Sequence, residues 1–523
     1  MRPPLWHPPI ELSMAERTII TRIRRAKLFV CLRHHRHELC TDAFQQALAT
    51  LSKESSPGYP PVPPAQLALA TILQAYTRVS DDEVIAVTTM DRRWHMVLDG
   101  LDSESAPFSK GTLGALRQRL IAQQMDRRLL ERTVESAAAS GAFGARQLRA
   151  ALESSPLWGA GRVEDTSNWL GHALRKAVGV IARQQGRELP AVANEVGVPL
   201  VSGSSLQAAL DLAWDEPTAR PQALPIVLGA LNAVDHGLAP QPIPVAAAPE
   251  VAASVAVAHQ VRAQDVTLTP DGTLTLRQGV AEDRRMSVED GEMRHGRKSR
   301  SLLIDGDKRQ VVRDLDRGLI VAVGVTPAKV PEASVTEAIE TDLAAQQRTL
   351  TALHIDRASL ASTLVQQRSE TLAIFCTAWP VHQGPYCPKS AFHVDWERRE
   401  RQCPGGVVMP FEPGGTVKFP ASTCAGCALR ERCTTSPAGR SVSIHPDEAV
   451  LAELRDRQRT PHGRAKLRER VAEEHALAHM GHWQGRRARY RGVRKNVFDL
   501  RRCAVVHNLH VLARLAEPEC QAA

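Results

Sequence analysis

No long hydrophobic run occurs in this sequence. None of the apolar stretches in its 523 residues reaches the length of about 18 residues that a membrane-spanning helix requires. The first segment, Met1-RPPLWHPPIELSM, also lacks the charged stretch followed by an apolar stretch that marks a secretory signal peptide. We therefore expect a cytoplasmic protein without a membrane span.

Acidic residues are fewer than basic ones. The chain has 57 Asp and Glu against 66 Lys and Arg, which gives a net charge of +9 and a pI near 9.2. This balance favours a polyanionic partner, although it carries no information about the fold. A hydrophobic content of 43% is enough for two or three globular domains with a sizeable core.

Cysteine is scarce outside one segment. Six of the ten cysteines lie between Cys376 and Cys433, and in a reducing compartment such a cluster indicates a metal site rather than disulfides. A Cys-x2-Cys pair also presents two thiolates at the spacing that tetrahedral zinc requires. The alternative is a thiol-rich loop without metal. The expected ligands of one structural zinc ion are Cys403, Cys424, Cys427 and Cys433.

A second group of metal-ligand types lies between Cys31 and Cys40, with three histidines between them. On one helix these side chains point to different sides, so we expect a solvated helix face there and no metal.

The first 150 residues have the pattern of a helical domain. Apolar residues recur at helical spacing from residue 14 to about 54 and again over residues 65–79. Ser80 and Glu83 have the spacing of a capping box, and Ser109 is placed to cap a helix that continues to about residue 140.

Beyond residue 150 the pattern becomes mixed. The segment GAGRVEDTSNW (159–169) predicts a short strand that ends at Asp165, and a Pro/Ala tract at 238–258 indicates an insertion or linker with weak internal structure. Strand-like runs then alternate with turns from 299 to 325, followed by a helix and two strands, LTALHID (350–356) and TLAIFCTAW (371–379). These elements predict an α/β core that begins with antiparallel strands.

Acidic residues lie where a pair of divalent metals could be held. Asp165 and Asp356 follow predicted strands, and Glu474 stands in a basic helix. Carboxylates that meet at the edge of a sheet suit the hard cations used in phosphodiester chemistry. The alternative is that Asp165 starts a turn and Asp356 caps the helix after it.

The motifs GRVEDT around Asp165, LHIDRASL around Asp356, and Arg470-x3-Glu474 followed by GRRARYRGVRKN resemble the signatures of bacterial insertion-sequence transposases with an Asp-Asp-Glu catalytic core. The amino-terminal segments YPPVPPAQLALATILQAYTRVSDDEVI, DRRW and FSKGTLGALRQRL are similar to the helical domain of the same group. The resemblance covers most of the chain apart from about 172–280.

The resemblance implies an α/β (α+β) fold with an RNase H-like mixed sheet. An all-α domain at 1–150 would precede a catalytic domain at 156–523, which is interrupted by an insertion at about 172–280 and a Cys-rich loop at about 385–440. It further implies DNA cleavage at the element ends followed by strand transfer into target DNA, with Asp165, Asp356 and Glu474 binding two Mg²⁺ or Mn²⁺. It also implies double-stranded DNA as the partner, on which a homodimer or higher assembly would form at the nucleoid.

Two positions depart from the pattern of the family. The spacing to Arg470 selects Glu474 over its neighbour Glu473, but the related tyrosine is Leu467 and the related lysine is Gly481. Because those two residues usually help to hold the DNA end, other side chains are expected to replace them, or this copy is catalytically impaired.

Basic segments supply the expected phosphate contacts, which carry affinity and not base sequence. One is the turn at 290–301, and the other is 486–502, with eight basic residues of 17. The alternative for the turn is an ordinary solvated hairpin. The expected DNA-binding residues are Arg297, Lys298, Arg470, Arg486, Arg487, Arg489, Tyr490, Arg491, Arg494 and Lys495.

The sequence therefore predicts a transposase. Two rivals stay open: an element-derived DNA-binding protein that no longer cuts, and a metal-dependent nuclease without strand transfer.

Overall fold

The computed structural model describes residues 3–51, 61–141, 146–203, 205–238, 248–279, 281–299, 301–378 and 384–515, without the side chains of 471–476. Among the helices in these ranges, none is long and apolar enough to cross a membrane.

In the described part of the amino-terminal region, the chain forms eight helices. The capping box of Ser80 and Glu83 is present at the start of α5, and the Ser109 hydroxyl caps α7, as predicted. The helix predicted from Ser109 to about residue 140 is broken into two at residues 123–125. The helices are α1 Met14–Arg22, α2 Lys27–Leu39, α3 Asp42–Ala49, α4 Pro64–Thr77, α5 Asp81–Met90, α6 Arg92–Leu98, α7 Lys110–Ala122 and α8 Asp126–Ala139.

A six-stranded mixed sheet forms the centre of the molecule. Its strands are β1 Gln147–Trp158, β4 Arg294–Arg297, β5 Leu303–Asp314, β6 Ile320–Pro327, β7 Thr349–His354 and β8 Ala373–Phe375. The order is β6-β5-β1-β7-β8, and β4 extends the edge beside β5. Strand β5 is antiparallel to β1 and β6, whereas β1, β7 and β8 are parallel. Three antiparallel strands followed by two parallel ones is the RNase H-like arrangement, as predicted.

The two faces of the sheet pack into different cores. Val311 of β5 faces a core that contains most of the amino-terminal helices together with α20 (Val471–Gln484) and α21 (Val493–Leu515). Its neighbour Val312 faces a core with α14 (Thr336–Ala345) and α18 (Glu448–Arg459). This alternation follows from the pleat of a strand. The amino-terminal helices therefore share a core with the sheet, and the boundary predicted between residues 150 and 156 falls inside β1.

The carboxy-terminal helices that complete these cores are α18 Glu448–Arg459, α19 Pro461–Glu469, α20 Val471–Gln484 and α21 Val493–Leu515. A short helix, α15 Thr363–Gln366, lies between β7 and β8.

A helical insertion separates β1 from β4. Its elements are α9 Thr166–Gln185, α10 Leu189–Glu195, α11 Leu206–Ala209, α12 Ala219–Gly237, α13 Ala248–Asp265, β2 Val266–Leu268 and β3 Leu274–Leu276. The expectation of weak structure at 238–258 is wrong over 248–258, because α13 buries Val251, Val257 and Val261 in the core of the insertion. Residues 239–247 of that tract lie outside the described ranges.

The Cys-rich segment between β8 and α18 is a small module. It is built from β9 His393–Asp395, β10 Glu400–Gln402, β11 Val408–Pro410, β12 Thr416–Lys418, α16 Ala421–Ala425, α17 Arg430–Cys433 and β13 Ser441–Ser443. Its core is six buried side chains: Phe392, Phe411, Val417, Phe419, Val442 and Ile444.

Candidate active site

Glu153 of β1 and Asp356, which lies two residues beyond the end of β7, are at the same level of the sheet. Strands β1 and β7 are parallel, and their pairing ends with Ala151 opposite His354. Continued by two residues along each chain, this register places Glu153 level with Asp356. Glu153 is also opposite Val311 of β5, so its side chain points to the face that α20 and α21 cover.

Asp356 has a local structural task as well. It is the N-cap of the 3₁₀ turn Arg357–Ser359, and its Oδ1 accepts from the Ser359 amide at 3.2 Å. The second oxygen lies 3.8 Å from the Lys298 ammonium, and the side chain is one-quarter exposed. The capping alternative is therefore observed, while one oxygen still points away from the cap.

Arg470 binds the carboxylate of Glu153. Its Nε and Nη2 donate to the two carboxylate oxygens, with Nη2–Oε2 at 3.0 Å, and its Nη1 lies 3.4 Å from the Ile355 carbonyl. Burial acts to lower the pKa of Arg470, but the hydrogen-bonded and nearby carboxylate of Glu153 outweighs it and raises the pKa above its usual value. The arginine thus stays charged between the two strand ends.

The residue before Arg470 anchors the same helix junction. Glu469 pairs with Arg149 of β1 and, at 2.7 Å, with Lys466. Arg149 and Glu153 are four residues apart on β1 and therefore share a face. Two ion pairs, Arg149 with Glu469 and Glu153 with Arg470, hold the start of α20 over β1.

Lys298 approaches Asp356 from β4. Its Nζ donates to Glu332 at 2.9 Å and also contacts the Ser154 hydroxyl. Glu332 and Lys308 are buried, and burial lowers the pKa of the Lys308 ammonium. Lys298 is therefore an internal cation beside Asp356 and not a freely exposed phosphate ligand.

Glu474 lies in the first half of α20, but its side chain is outside the described residues. The second half of the helix is packed in the core through Leu477, Met480 and Trp483. A Cβ at Gly481 would lie 3.1 Å from the Arg309 guanidinium of β5. Position 474 precedes Leu477 by three residues and Gly481 by seven, so the three positions form one stripe of the helix.

Asp165 is placed differently from its prediction. Residues 159–165 form no strand, and β1 ends seven residues earlier at Trp158. The Asp165 side chain caps α9 by accepting from the Asn168 amide at 3.0 Å and is exposed. Trp158 is already about 17 Å along the strand from Glu153. The predicted strand ending at Asp165 is therefore wrong, and the structure does not bring Asp165 to the register position of Asp356.

Most of the predicted DNA-binding residues make hydrogen bonds or ion pairs within the protein, although Arg487 and Arg489 are also exposed. Arg487 donates to the Gly159 and Gly161 carbonyls, and Arg489 donates to the Arg78 carbonyl at 2.9 Å. Arg494 pairs with the buried Asp126, and the Tyr490 hydroxyl accepts from Arg117 at 2.7 Å. These contacts fix the segment after α20 against the insertion and the amino-terminal helices.

A smaller set remains open to solvent. Arg486, Arg491, Lys495 and Arg297 are exposed. Arg491 has a loose ion pair with Glu289 at 3.8 Å. Within the described ranges, Arg486 and Lys495 make no side-chain hydrogen bond or ion pair.

The cysteines of the small module are close to one another without forming disulfides. Cys387, Cys403, Cys424 and Cys433 are half-buried against its core, and Cys427 is half-buried as well. A Cβ at Gly405 would meet the sulfurs of Cys427 at 3.1 Å and Cys403 at 3.6 Å. Among the described side chains, however, no three His, Cys, Asp or Glu are already arranged to hold a metal ion. The histidines and cysteines from Cys31 to Cys40 are among these side chains.

Sequence reasoning missed Glu153. The run LRAALESSPLW (148–158) contains Pro156, which is unusual in a central strand. At that point β1 pairs only with β5, because its pairing with β7 ends at Ala151. An acidic residue directly after the apolar run LRAAL was the available signal.

Residues 412–513 match a family model described as a transposase DDE domain. This is about a fifth of the chain, and it covers the end of the Cys-rich module and α18 to α21 but not β1 or β7. The match includes Arg470 and Glu474. No curated protein and no solved structure matches the chain.

Proposed function

We propose that this protein is a transposase that cleaves DNA at the ends of a mobile element and joins them to target DNA. The observation that most supports this proposal is the register of β1 and β7, which brings Glu153 and Asp356 to one level of an RNase H-like sheet. Beside them lies α20, a helix in the segment that matches a transposase DDE domain. The match supports DNA cleavage in general, and strand transfer is our extension of it.

Glu153, Asp356 and Glu474 are the proposed ligands of two divalent cations, in place of the set with Asp165. Carboxylate oxygens suit Mg²⁺ and Mn²⁺, and Arg470 contacts both Glu153 and the residue before Asp356. When bound, such cations activate the attacking oxygen and stabilise the leaving oxygen. In the Asp-Asp-Glu set that the resemblance implies, the first ligand is an aspartate, and in this proposal the glutamate Glu153 takes its place.

The surrounding residues have separate proposed tasks. Arg470 and Lys298 balance the carboxylates in the metal-free protein. The exposed Arg486, Arg491 and Lys495 track the DNA backbone, and a homodimer or higher assembly holds the two element ends. The small module is proposed to bind one zinc ion through its cysteines, because a core of six side chains is too small to stabilise such a unit without a further cross-link.

The rival of a DNA-binding protein that no longer cuts rests on Leu467, Gly481 and the glutamate at position 153. Purified protein is incubated with duplex DNA carrying the element ends and Mg²⁺ or Mn²⁺. Nicks at the ends support the transposase, whereas a shifted band that is never nicked supports the rival. Pre-cut ends that fail to join a target plasmid would instead indicate a nuclease without strand transfer.

A further inference from the structure

The guanidinium of Arg470 lies between Glu153 of β1 and the segment that leads from β7 to Asp356. It engages both oxygens of Glu153 and reaches the carbonyl of Ile355, the residue directly before Asp356. The Glu153 side chain is only 7% exposed, while Arg470 is 30% exposed. The carboxylate is therefore enclosed, and its partner is within reach of solvent.

We propose that Arg470 is a placeholder cation, which leaves Glu153 for a DNA phosphate and so makes tight metal binding depend on bound DNA. This inference rests on the proposed function, because it assumes that Glu153 and Asp356 are the metal ligands. The resemblance alone implies only that Arg470 holds DNA.

Competition for the same oxygens is the first reason. A bidentate arginine uses both oxygens of a carboxylate, and a divalent cation needs at least one of them. Metal binding at Glu153 therefore brings a second cation to two oxygens that already accept hydrogen bonds from Arg470, so that the guanidinium and the metal repel each other and compete for the same enclosed carboxylate. The energy of that pair opposes metal binding in the absence of DNA.

The chemistry of the released group is the second reason. A guanidinium binds phosphate with the same planar fork that it presents to a carboxylate. A phosphate group at the site can therefore accept the hydrogen bonds that Glu153 gives up. A bound DNA phosphate thus draws Arg470 away from Glu153, where it competes with the metal. The same phosphate compensates the positive charge of the guanidinium.

The neighbouring ion pair allows the arginine to move without the helix. Glu469 is bound to Arg149 and Lys466, so the junction of α19 and α20 stays attached to β1 when the Arg470 side chain turns away. Arg187 provides a matched control, since it also donates to both oxygens of a glutamate, Glu195, but belongs to the insertion and not to the junction that carries Arg470.

Coupling of this kind is reciprocal. If DNA raises the affinity for the metal, the metal raises the affinity for DNA by the same factor. Arg470→Gln removes the competitor permanently, so we expect cation binding to become tighter without DNA and the effect of DNA on it to shrink.

The test is a calorimetric titration with Ca²⁺, a hard cation that binds oxygen ligands, with and without a short DNA duplex. We expect R470Q without DNA to bind Ca²⁺ about tenfold more tightly than the unmodified protein, which is within the usual range of coupling between sites. R187Q is expected to bind as the unmodified protein does. R470K keeps the charge but cannot engage both oxygens in the same fork, so it should give an intermediate affinity.

Two further variants separate the inference from the function on which it rests. If E153Q and D356N still bind Ca²⁺ like the unmodified protein, the cation is elsewhere and the proposed active site is wrong. If these variants lose Ca²⁺ while R470Q and R470K bind it no more tightly than the unmodified protein, the site stands and the placeholder role is overturned. Thermal unfolding of each variant checks that it is folded.

Discussion

Arg494 of α21 and Asp126 at the start of α8 form an ion pair in which the carboxylate is completely buried. Arg494 donates to both oxygens of this carboxylate, and Arg501 of the same helix donates to its Oδ2 atom at 3.1 Å. The pair joins the amino-terminal helices to the helix that underlies the sheet. Arg494 was predicted to bind DNA, but its geometry is that of a structural residue.

We therefore expect Arg494→Ala to lower stability and not DNA affinity. Asp126 would keep only Arg501, and removal of one partner from a buried carboxylate costs on the order of 2–3 kcal/mol, less than for a fully buried pair because Arg494 is one-third exposed. Chemical denaturation measures the free energy of unfolding, with Arg486→Ala as the control that should leave it unchanged. An R494A variant of normal stability but weak DNA binding would instead support the role in DNA binding that the sequence predicted for Arg494.

Arg486 and Lys495 are expected to behave in the opposite way. Both are exposed, and neither is needed by a neighbouring carboxylate. The double variant R486A/K495A should unfold like the unmodified protein but bind duplex DNA more weakly. Because each lost phosphate contact reduces the slope of log affinity against log salt by about 0.9, the slope should fall by nearly 2. An unchanged slope would remove these two residues from the DNA surface.

Histidines between α20 and α21 predict acid sensitivity. Burial, together with the nearby Arg514 and His479, lowers the pKa of His507 and of His510 to about 4. Arg313 also lowers the pKa of His507, and the hydrogen bond of His507 to the Gly318 carbonyl opposes the shift. In the unfolded chain each histidine takes up a proton near pH 6.5, whereas the folded chain does not. The free energy of unfolding should thus fall between pH 6.5 and pH 4, by up to about 3 kcal/mol for each histidine.

His510→Phe isolates one of these contributions. The ring of His510 stacks on Trp483 with centroids 5.3 Å apart, a contact that phenylalanine retains. The variant should match the unmodified protein near pH 7 and lose less stability at pH 4.5. If the variant and the unmodified protein lose the same free energy of unfolding between pH 7 and pH 4.5, His510 does not titrate in this way.

Some of the fold follows from local sequence, and the active site does not. The capping residues Ser80 and Ser109 and strands β6 and β7 were predictable because helix caps and apolar runs are local signals. Strand β1 was missed because Pro156 and the serines before it weaken its pattern. The relation of Glu153 to Asp356 depends on the register of two strands that are about 200 residues apart in the chain, and no local pattern encodes that register.

The helix that carries Glu474 illustrates the same limit. Its spacing from Arg470 is visible in the sequence, but the partner of Arg470 is Glu153 on β1, a contact between residues 317 positions apart. Likewise, the basic segment at 486–502 predicted phosphate contacts from composition alone. Whether an arginine faces DNA or a buried carboxylate depends on which acids the fold brings beside it.

The small Cys-rich module should contain zinc. Metal analysis of protein purified under reducing conditions is expected to find about one zinc ion per chain, since four thiolates complete a tetrahedral site. The variant C424S/C427S should lose the zinc and unfold at a lower temperature, whereas C31S, which changes a cysteine far from the module in sequence, should retain it. Unmodified protein that contains no zinc and whose stability does not respond to a chelator would contradict this assignment.

The most direct test of the proposed active site compares three single substitutions in one cleavage assay. Duplex DNA carrying the element ends is incubated with Mg²⁺ and with Glu153→Gln, Asp356→Asn or Asp165→Asn, and DNA binding is measured alongside. We expect E153Q and D356N to bind the ends but to cut at least about 10²-fold more slowly, as loss of a metal-ligand carboxylate should, while D165N cuts at nearly the normal rate. Normal cleavage by E153Q together with loss of cleavage by D165N would contradict the account.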